Sequence, residues 1–293
     1  MRRTARVLLT ALFPALLWAL LWPGSAQAYV KFSVESHGAN LDPAYVREVT
    51  TLISDIHKSF VEALRLRVTS DVHVTLKFYK DQAEYATDAR GVWGAEFSAV
   101  PPAFYRHRPM EVWAVDRPER RETTQAIVHE STHMFIHNLS RECPIWVHEG
   151  LAESFQACQL HQGRFVLVPW SLRDQKAKEL LAAGNLPELG PYLDLERKAW
   201  QLKDDAGEPM RVASWSLGWF LLSTDDGRQL LSYLLRTYQD RRSEKCSTLV
   251  DRYWRGGLKA LDAAWRAWIP GARTPMFMDI PNPEETSLTT LIK

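Results

Sequence analysis

The period of the apolar positions divides the chain into a mixed first part and a helical second part. Tyr29 to Val34 alternates apolar and polar residues and predicts a short strand. Asn40-Leu41-Asp42-Pro43 then opens a helix, with Asp42 as the capping residue. Pro43 takes the first helical position, where its missing N–H costs nothing. Val46, Val49, Ile53, Ile56, Phe60 and Leu64 continue at helical spacing. Val72 to Tyr79 alternates as a second strand, and Asp81 caps a short helix. Gly91 to Phe97 predicts an edge strand and Met110 to Val115 a further strand.

From residue 120 onward the spacing predicts helices near 122–140, 145–160, 170–183, 212–224, 226–240 and 257–268. Leu217/Phe220/Leu221, Leu230/Leu231/Leu234 and Leu258/Leu261/Trp265 are core stripes of the last three. Residues 270–293 contain Pro270, Pro275, Pro281 and Pro283 and predict an extended tail. The expected fold class is α+β, a small mixed sheet in the N-terminal half followed by a mostly helical C-terminal half. The expected boundaries are an α/β subdomain over 29–118, a helical subdomain over 119–269 and the tail from 270.

Composition narrows the function classes. The 293 residues are 46% apolar and 24% charged, which excludes a disordered or collagen-like chain. A formal net charge of +1 gives no electrostatic case for nucleic acid as a partner. Residues 1–28 read as an export signal: Arg2, Arg3 and Arg6, an uncharged stretch from Val7 to Trp22, a Pro23-Gly24 break, and Ala26-Gln27-Ala28 for cleavage. As a helix the uncharged stretch would span about 24 Å, short of the roughly 30 Å hydrocarbon core. The expectation is a periplasmic or secreted protein with no stable membrane span after cleavage. Removing 1–28 leaves 33 basic against 35 acidic residues, a net charge of −2. Cys143, Cys158 and Cys246 remain, and Cys143 and Cys158 are the expected disulfide by proximity in an oxidising compartment.

The chemistry concentrates in His129-Glu130-Ser131-Thr132-His133. On a helix, residues four apart share a face, so two imidazoles there can grip one Zn²⁺. The carboxylate of Glu130 is then placed to reach a metal-bound water, as a general base does. Ile127, Val128, Phe135, Ile136 and Leu139 give this helix a buried face. A catalytic zinc needs a third protein ligand, for which His137, His148, Glu149 and Glu153 are candidates. His137 lies eight residues from His129, about 12 Å of helix rise, too far to share the ion. Ser140 to Pro144 turns the chain, and a second helix opens at Pro144. An antiparallel hairpin would place Glu149 opposite His133, so Glu149 is the expected third ligand. Glu153 shares its face and is expected to hold a histidine N–H.

HESTH followed by WVHEGLAESF resembles the gluzincin metallopeptidases, whose pattern is HExxH, a spacer, then W-x-x-E-G-x-A-E. The resemblance implies a zincin-like fold and one Zn²⁺ per chain held by His129, His133 and Glu149. It implies Glu130 as the base and Glu153 as the acid behind the ligands. The spacer of 15 residues between His133 and Glu149 is similar to that of compact bacterial peptidase MA-like families of unknown function. The likeness extends over roughly 71–268, through VHVTLKFYKDQAEYATDARGVWGAEF, SWSLGWFLL and LDAAWRAWI. It departs at Arg211, where relatives often carry a tyrosine that can donate to an oxyanion.

The function expected on these grounds is an exported zinc-dependent metallopeptidase acting on a peptide or protein substrate. Glu130 would take a proton from the zinc-bound water and pass it to the leaving amine. A donor to the oxyanion is also required, and Arg211, His161, Tyr192 and Tyr233 are the candidates. The alternative expectation is a zinc-stabilised binding protein of the cell envelope that turns over little or nothing, motivated by Arg211 and the short spacer.

Overall fold

The computed structural model describes residues 30–68, 71–94, 100–207, 209–240 and 244–278. The export segment lies outside them, as do residues 279–293 of the expected tail. Among the described residues no helix is long and apolar enough to cross a membrane.

The first part alternates strands and helices: β1 (Val30–His37), α1 (Pro43–Lys58), β2 (Val72–Tyr79), α2 (Gln82–Trp93), β3 (Ala103–Arg106) and β4 (Glu111–Val115). The sheet order is β1-β2-β4-β3, with β1, β2 and β4 parallel and β3 antiparallel at one edge. The period-2 pattern of β2 sends Val72, Val74, Leu76 and Phe78 into the main core, against Val49, Leu52, Ile53 and Ile56 of α1. Trp113 and Val115 of β4 face the other way, into an aromatic cluster with Tyr79, Tyr85 and Phe104. Burial on both faces accounts for the unbroken run of buried residues in β4. Asp42 caps α1 as expected, its Oδ1 accepting from the Ala44 N–H at 2.8 Å.

The edge strand expected over Gly91 to Phe97 is corrected. Asp81 accepts from the N–H groups of Ala83 and Glu84, and the helix it starts runs through Gly91 to Trp93. Gly94, at φ +97°, ends it in a conformation that favours glycine. Residues 95–99 lie outside the described ones. Among the described residues the edge on this side of the sheet is β3, a four-residue segment.

The second part contains α3 (Arg120–Leu139), α4 (Ile145–Phe155), a hairpin of β5 (Gln159–His161) and β6 (Arg164–Leu167), α5 (Ser171–Ala182), α6 (Leu189–Leu193), α7 (Arg197–Asp205), α8 (Met210–Ser223), α9 (Asp225–Gln239), α10 (Cys246–Tyr253) and α11 (Gly257–Trp268). The helix expected over 145–160 stops at Phe155. Gln162 and Gly163, both at positive φ, form the two-residue loop of the hairpin. Met276–Phe277, in the expected tail, pairs with β6 as the strand β7.

All eleven residues of α4 are buried, because α3 packs on one side and α8 on the other. The crossing of α4 and α8 is glycine on glycine. A Cβ on Gly150 would come within 2.5 Å of the Ser214 carbonyl oxygen, and one on Gly218 within 2.8 Å of the Gly150 oxygen. The expected Cys143–Cys158 disulfide is also corrected: all three cysteines are buried free thiols. Cys143 and Cys158 bracket α4, whose eleven residues rise about 16 Å. A disulfide needs a Cα separation of roughly 4.4–6.8 Å. Burial raises the pKa of all three thiols.

Candidate metal centre

Three ligand atoms converge where α3 meets α4. One nitrogen each of His129 and His133 and one oxygen of Glu149 lie within 4.8 Å of one another. The Nε2 atoms of His129 and His133 are 3.0 Å apart, and His133 Nε2 is 3.7 Å from Glu149 Oε1. A tetrahedral zinc with bonds near 2.0–2.1 Å sets its ligands about 3.3 Å apart. The two separations lie on either side of that value.

The protonation pattern suits a cation. Gln156, at the C-terminal end of α4, places Oε1 2.9 Å from His129 Nδ1. A carbonyl oxygen accepts only, so His129 carries its proton on Nδ1 and turns the Nε2 lone pair toward His133. Burial first, with neighbouring positive charge such as that of Arg197 and Arg211 adding to it, holds His133 well below the ordinary histidine range and keeps it neutral. Two imidazole nitrogens and a carboxylate facing one point are the donor set a divalent transition metal takes.

Glu149 is held from behind. Arg211 Nη1 donates to its Oε2 at 2.8 Å, leaving Oε1 toward His133. Arg211 is fixed in turn by Asp204 of α7, which accepts from Nε at 2.8 Å and from the backbone N–H at 3.1 Å. The guanidinium also lies over the Trp200 ring at 5.6 Å. Glu130 projects beside the ligands, with a backbone hydrogen bond from Tyr105 of β3. Its pKa is pushed up to about 7, chiefly by burial; the Glu149 charge adds to this, while His129, Arg211 and the Tyr105 N–H oppose it.

The structure brings together His129, Glu130, His133, Glu149 and Arg211, and it moves the other expected residues elsewhere. Glu153 holds no histidine. Arg173 of α5 donates to both its oxygens, at 2.8 and 3.0 Å, and Gln156 supplies the histidine contact instead. Tyr192 is fully buried with its hydroxyl 2.5 Å from Ser214 Oγ, so it has no hydroxyl to offer a substrate. Tyr233 stacks on Tyr253 at 4.4 Å in a surface groove that contains none of the ligands. His161 is exposed on β5, in the hairpin sheet. Arg211 is in the site, but its guanidinium is occupied by two carboxylates.

Two contributors escaped the sequence reading. Gln156 lies seven residues beyond Glu149, where nothing in the motif points to it. Tyr105 is on the edge strand. Its ring centre is 6.1 Å from that of His133, and its hydroxyl is 3.3 Å from His137 Nδ1. Burial raises its pKa, so the hydroxyl keeps its proton at neutral pH. A short aromatic run beside prolines was the only signal for that strand. A second acidic and histidine group, His37, Glu84 and Asp88, is more open to solvent.

Comparison of the chain with family models, with curated proteins and with solved structures returns no match in any of the three.

Proposed function

We propose that this chain is a zinc-dependent hydrolase with a zincin-like arrangement, most simply a metallopeptidase. The observation that carries the reading is the convergence of His129, His133 and Glu149 from two helices, with Glu130 at the same point but outside the ligand set. A bound Zn²⁺ would polarise the scissile carbonyl and bring a water molecule to nucleophilic strength near neutral pH. The chain's own residues do the rest. Glu130 accepts the proton from the attacking water and returns it to the leaving nitrogen. Its raised pKa suits a group that must do both.

The open side of β3 supports a peptide as substrate. Among the described residues strand β3 pairs with β4 on one side only, and the Tyr105 N–H that reaches Glu130 points from the other. An extended peptide added along this edge would pass the base directly. We take the Tyr105 hydroxyl as oxyanion donor in place of the four earlier candidates, because it keeps its proton and its ring centre lies 6.1 Å from that of His133, whereas Arg211, though nearer Glu149, is occupied by carboxylates.

The test has two parts. Metal analysis of the purified full chain should give one zinc per chain, lost in His133→Ala. Glu130→Gln should keep the zinc and abolish cleavage of a broad peptide library. Zinc-free wild-type protein after incubation with the metal, or full cleavage by Glu130→Gln, would overturn the proposal. Stoichiometric zinc with no cleavage by the wild type would point to a zinc-stabilised binding protein.

A further inference from the structure

Beyond Tyr105, the edge of the sheet leads into a cleft of about 650 Å³. Its walls include His107 and Arg108, which follow β3 directly, and His137, Arg141 and Glu142 at and beyond the end of α3. The rings of His107 and His137 stack with centres 4.1 Å apart. His137 is tied to the Tyr105 hydroxyl, so the cleft and the metal centre share a wall. His107 Nδ1 is shielded from solvent and has no hydrogen-bond partner.

The charge in this cleft is unbalanced. Arg67, also on its wall, is neutralised by an ion pair with Asp240. Among the described residues, Arg108 and Arg141 have no ion-pair partner, and Glu142 is the one carboxylate left facing them. Both guanidinium charges act on His107, and Arg141 acts on His137. Arg197, at the start of α7 and outside the cleft's wall, carries a further guanidinium charge that acts on His133, His137, His148 and Tyr105. It too has no ion-pair partner among the described residues. Elsewhere in the site arginines are spent: Arg211 on Glu149 and Asp204, and Arg173 on Glu153.

We infer that the cleft lined by His107, Arg108, His137 and Arg141 takes a carboxylate of the substrate, making an acidic peptide segment the preferred ligand. The inference deepens the peptidase reading and rests on it for the word substrate. β3 ends at Arg106 and residues 107–110 form a turn, so a strand laid along β3 past Tyr105 would run out beside His107 and Arg108 at the cleft. Guanidinium groups suit this role because their paired donors match a carboxylate in geometry as well as charge. The carboxylate can belong to an acidic side chain or to the peptide's own C-terminus.

The experiment measures equilibrium binding to full-chain Glu130→Gln protein, with and without zinc, at low ionic strength. The probes are a blocked alanine pentapeptide with a central glutamate, its glutamine counterpart, and the glutamine peptide with a free C-terminal carboxylate. At least one carboxylate-bearing probe should bind ten-fold or more tighter than the blocked glutamine peptide, and which one does identifies the source. In Arg108→Gln/Arg141→Gln the preference should fall to within two-fold. In Arg108→Glu/Arg141→Glu a central-lysine peptide should become the preferred ligand. Equal binding of all three probes, no binding of any, or a preference untouched by the double substitutions would overturn the inference. The metal-free arm separates the two proposals, since the cleft contains no metal ligand: a preference that survives in a chain unable to hold zinc sinks the hydrolase and leaves the cleft.

Discussion

The contact that sets Glu149 against the two histidines is the glycine crossing of α4 and α8, and Gly150→Ala tests it. The added Cβ would lie 2.5 Å from the Ser214 oxygen and 3.2 Å from its carbonyl carbon. Both atoms are backbone, so no side chain can swing aside. Ordinary contact begins near 3.4 Å, so the helices must part locally by about 0.9 Å. Overpacking of this kind costs roughly 1–3 kcal/mol. Alanine returns about 1 kcal/mol of helix propensity relative to glycine. The expected net loss is about 0–2 kcal/mol, read as a lowered urea midpoint at unchanged m-value. The functional effect should be larger than the stability effect, because metal ligands tolerate displacements of only about 0.2 Å. Zinc affinity, measured by competition with a chelating dye, should fall at least ten-fold. Gly91→Ala is the control, since nothing lies within 4 Å of its added Cβ, and it should stabilise α2 by up to about 1 kcal/mol. A Gly150→Ala protein with wild-type stability and wild-type zinc affinity would refute the claim that this crossing positions the ligand.

Arg211→Met should weaken zinc binding by about 10–100-fold with the chain still folded, because Glu149 loses the group that holds its second oxygen. Gln156→Leu should do the same through His129; unchanged affinity in both would remove their orienting role. His57 is fully buried against Phe135 with Nε2 unpaired, and burial lowers its pKa to about 4. The folded-state value is below the unfolded one, so its contribution is complete above about pH 6.5 and is lost as pH falls toward 4. The stability of wild type relative to His57→Leu should therefore fall by about 3 kcal/mol between pH 7 and pH 4, and a pH-independent difference would contradict the assignment.

The parts of the site legible in the sequence are those coded by local period. His129, Glu130 and His133 share one helix because Ile127, Val128, Phe135 and Ile136 bury it. Glu149 followed from a short turn that forces two helices antiparallel. The rest depends on tertiary placement that no periodicity encodes. Strand β3 is four residues long and sits between Pro101-Pro102 and the Arg108-Pro109 turn. Helices α6, α7 and α10 are short, and α7 is mostly exposed, so their apolar stripes are brief. Arg211 could be read only as a missing tyrosine or a candidate oxyanion donor and not as the group that holds Glu149, because its partner Asp204 comes from a helix whose packing is invisible in the chain. The cysteine assignment failed on a length already available: the helix between Cys143 and Cys158 is itself a rigid spacer.

The clamp on Glu149 acts whether or not the proposed ion is bound. Asp204 orders Arg211, Arg211 orders the carboxylate, and Gln156 orders the first imidazole, all through contacts that need no cation. The proposed coordinating set is therefore assembled during folding, unlike a zinc finger whose chain collapses only around its metal. Chelation should strip such a centre and leave a vacant but correctly shaped receptor, ready to be refilled within the time of a simple encounter.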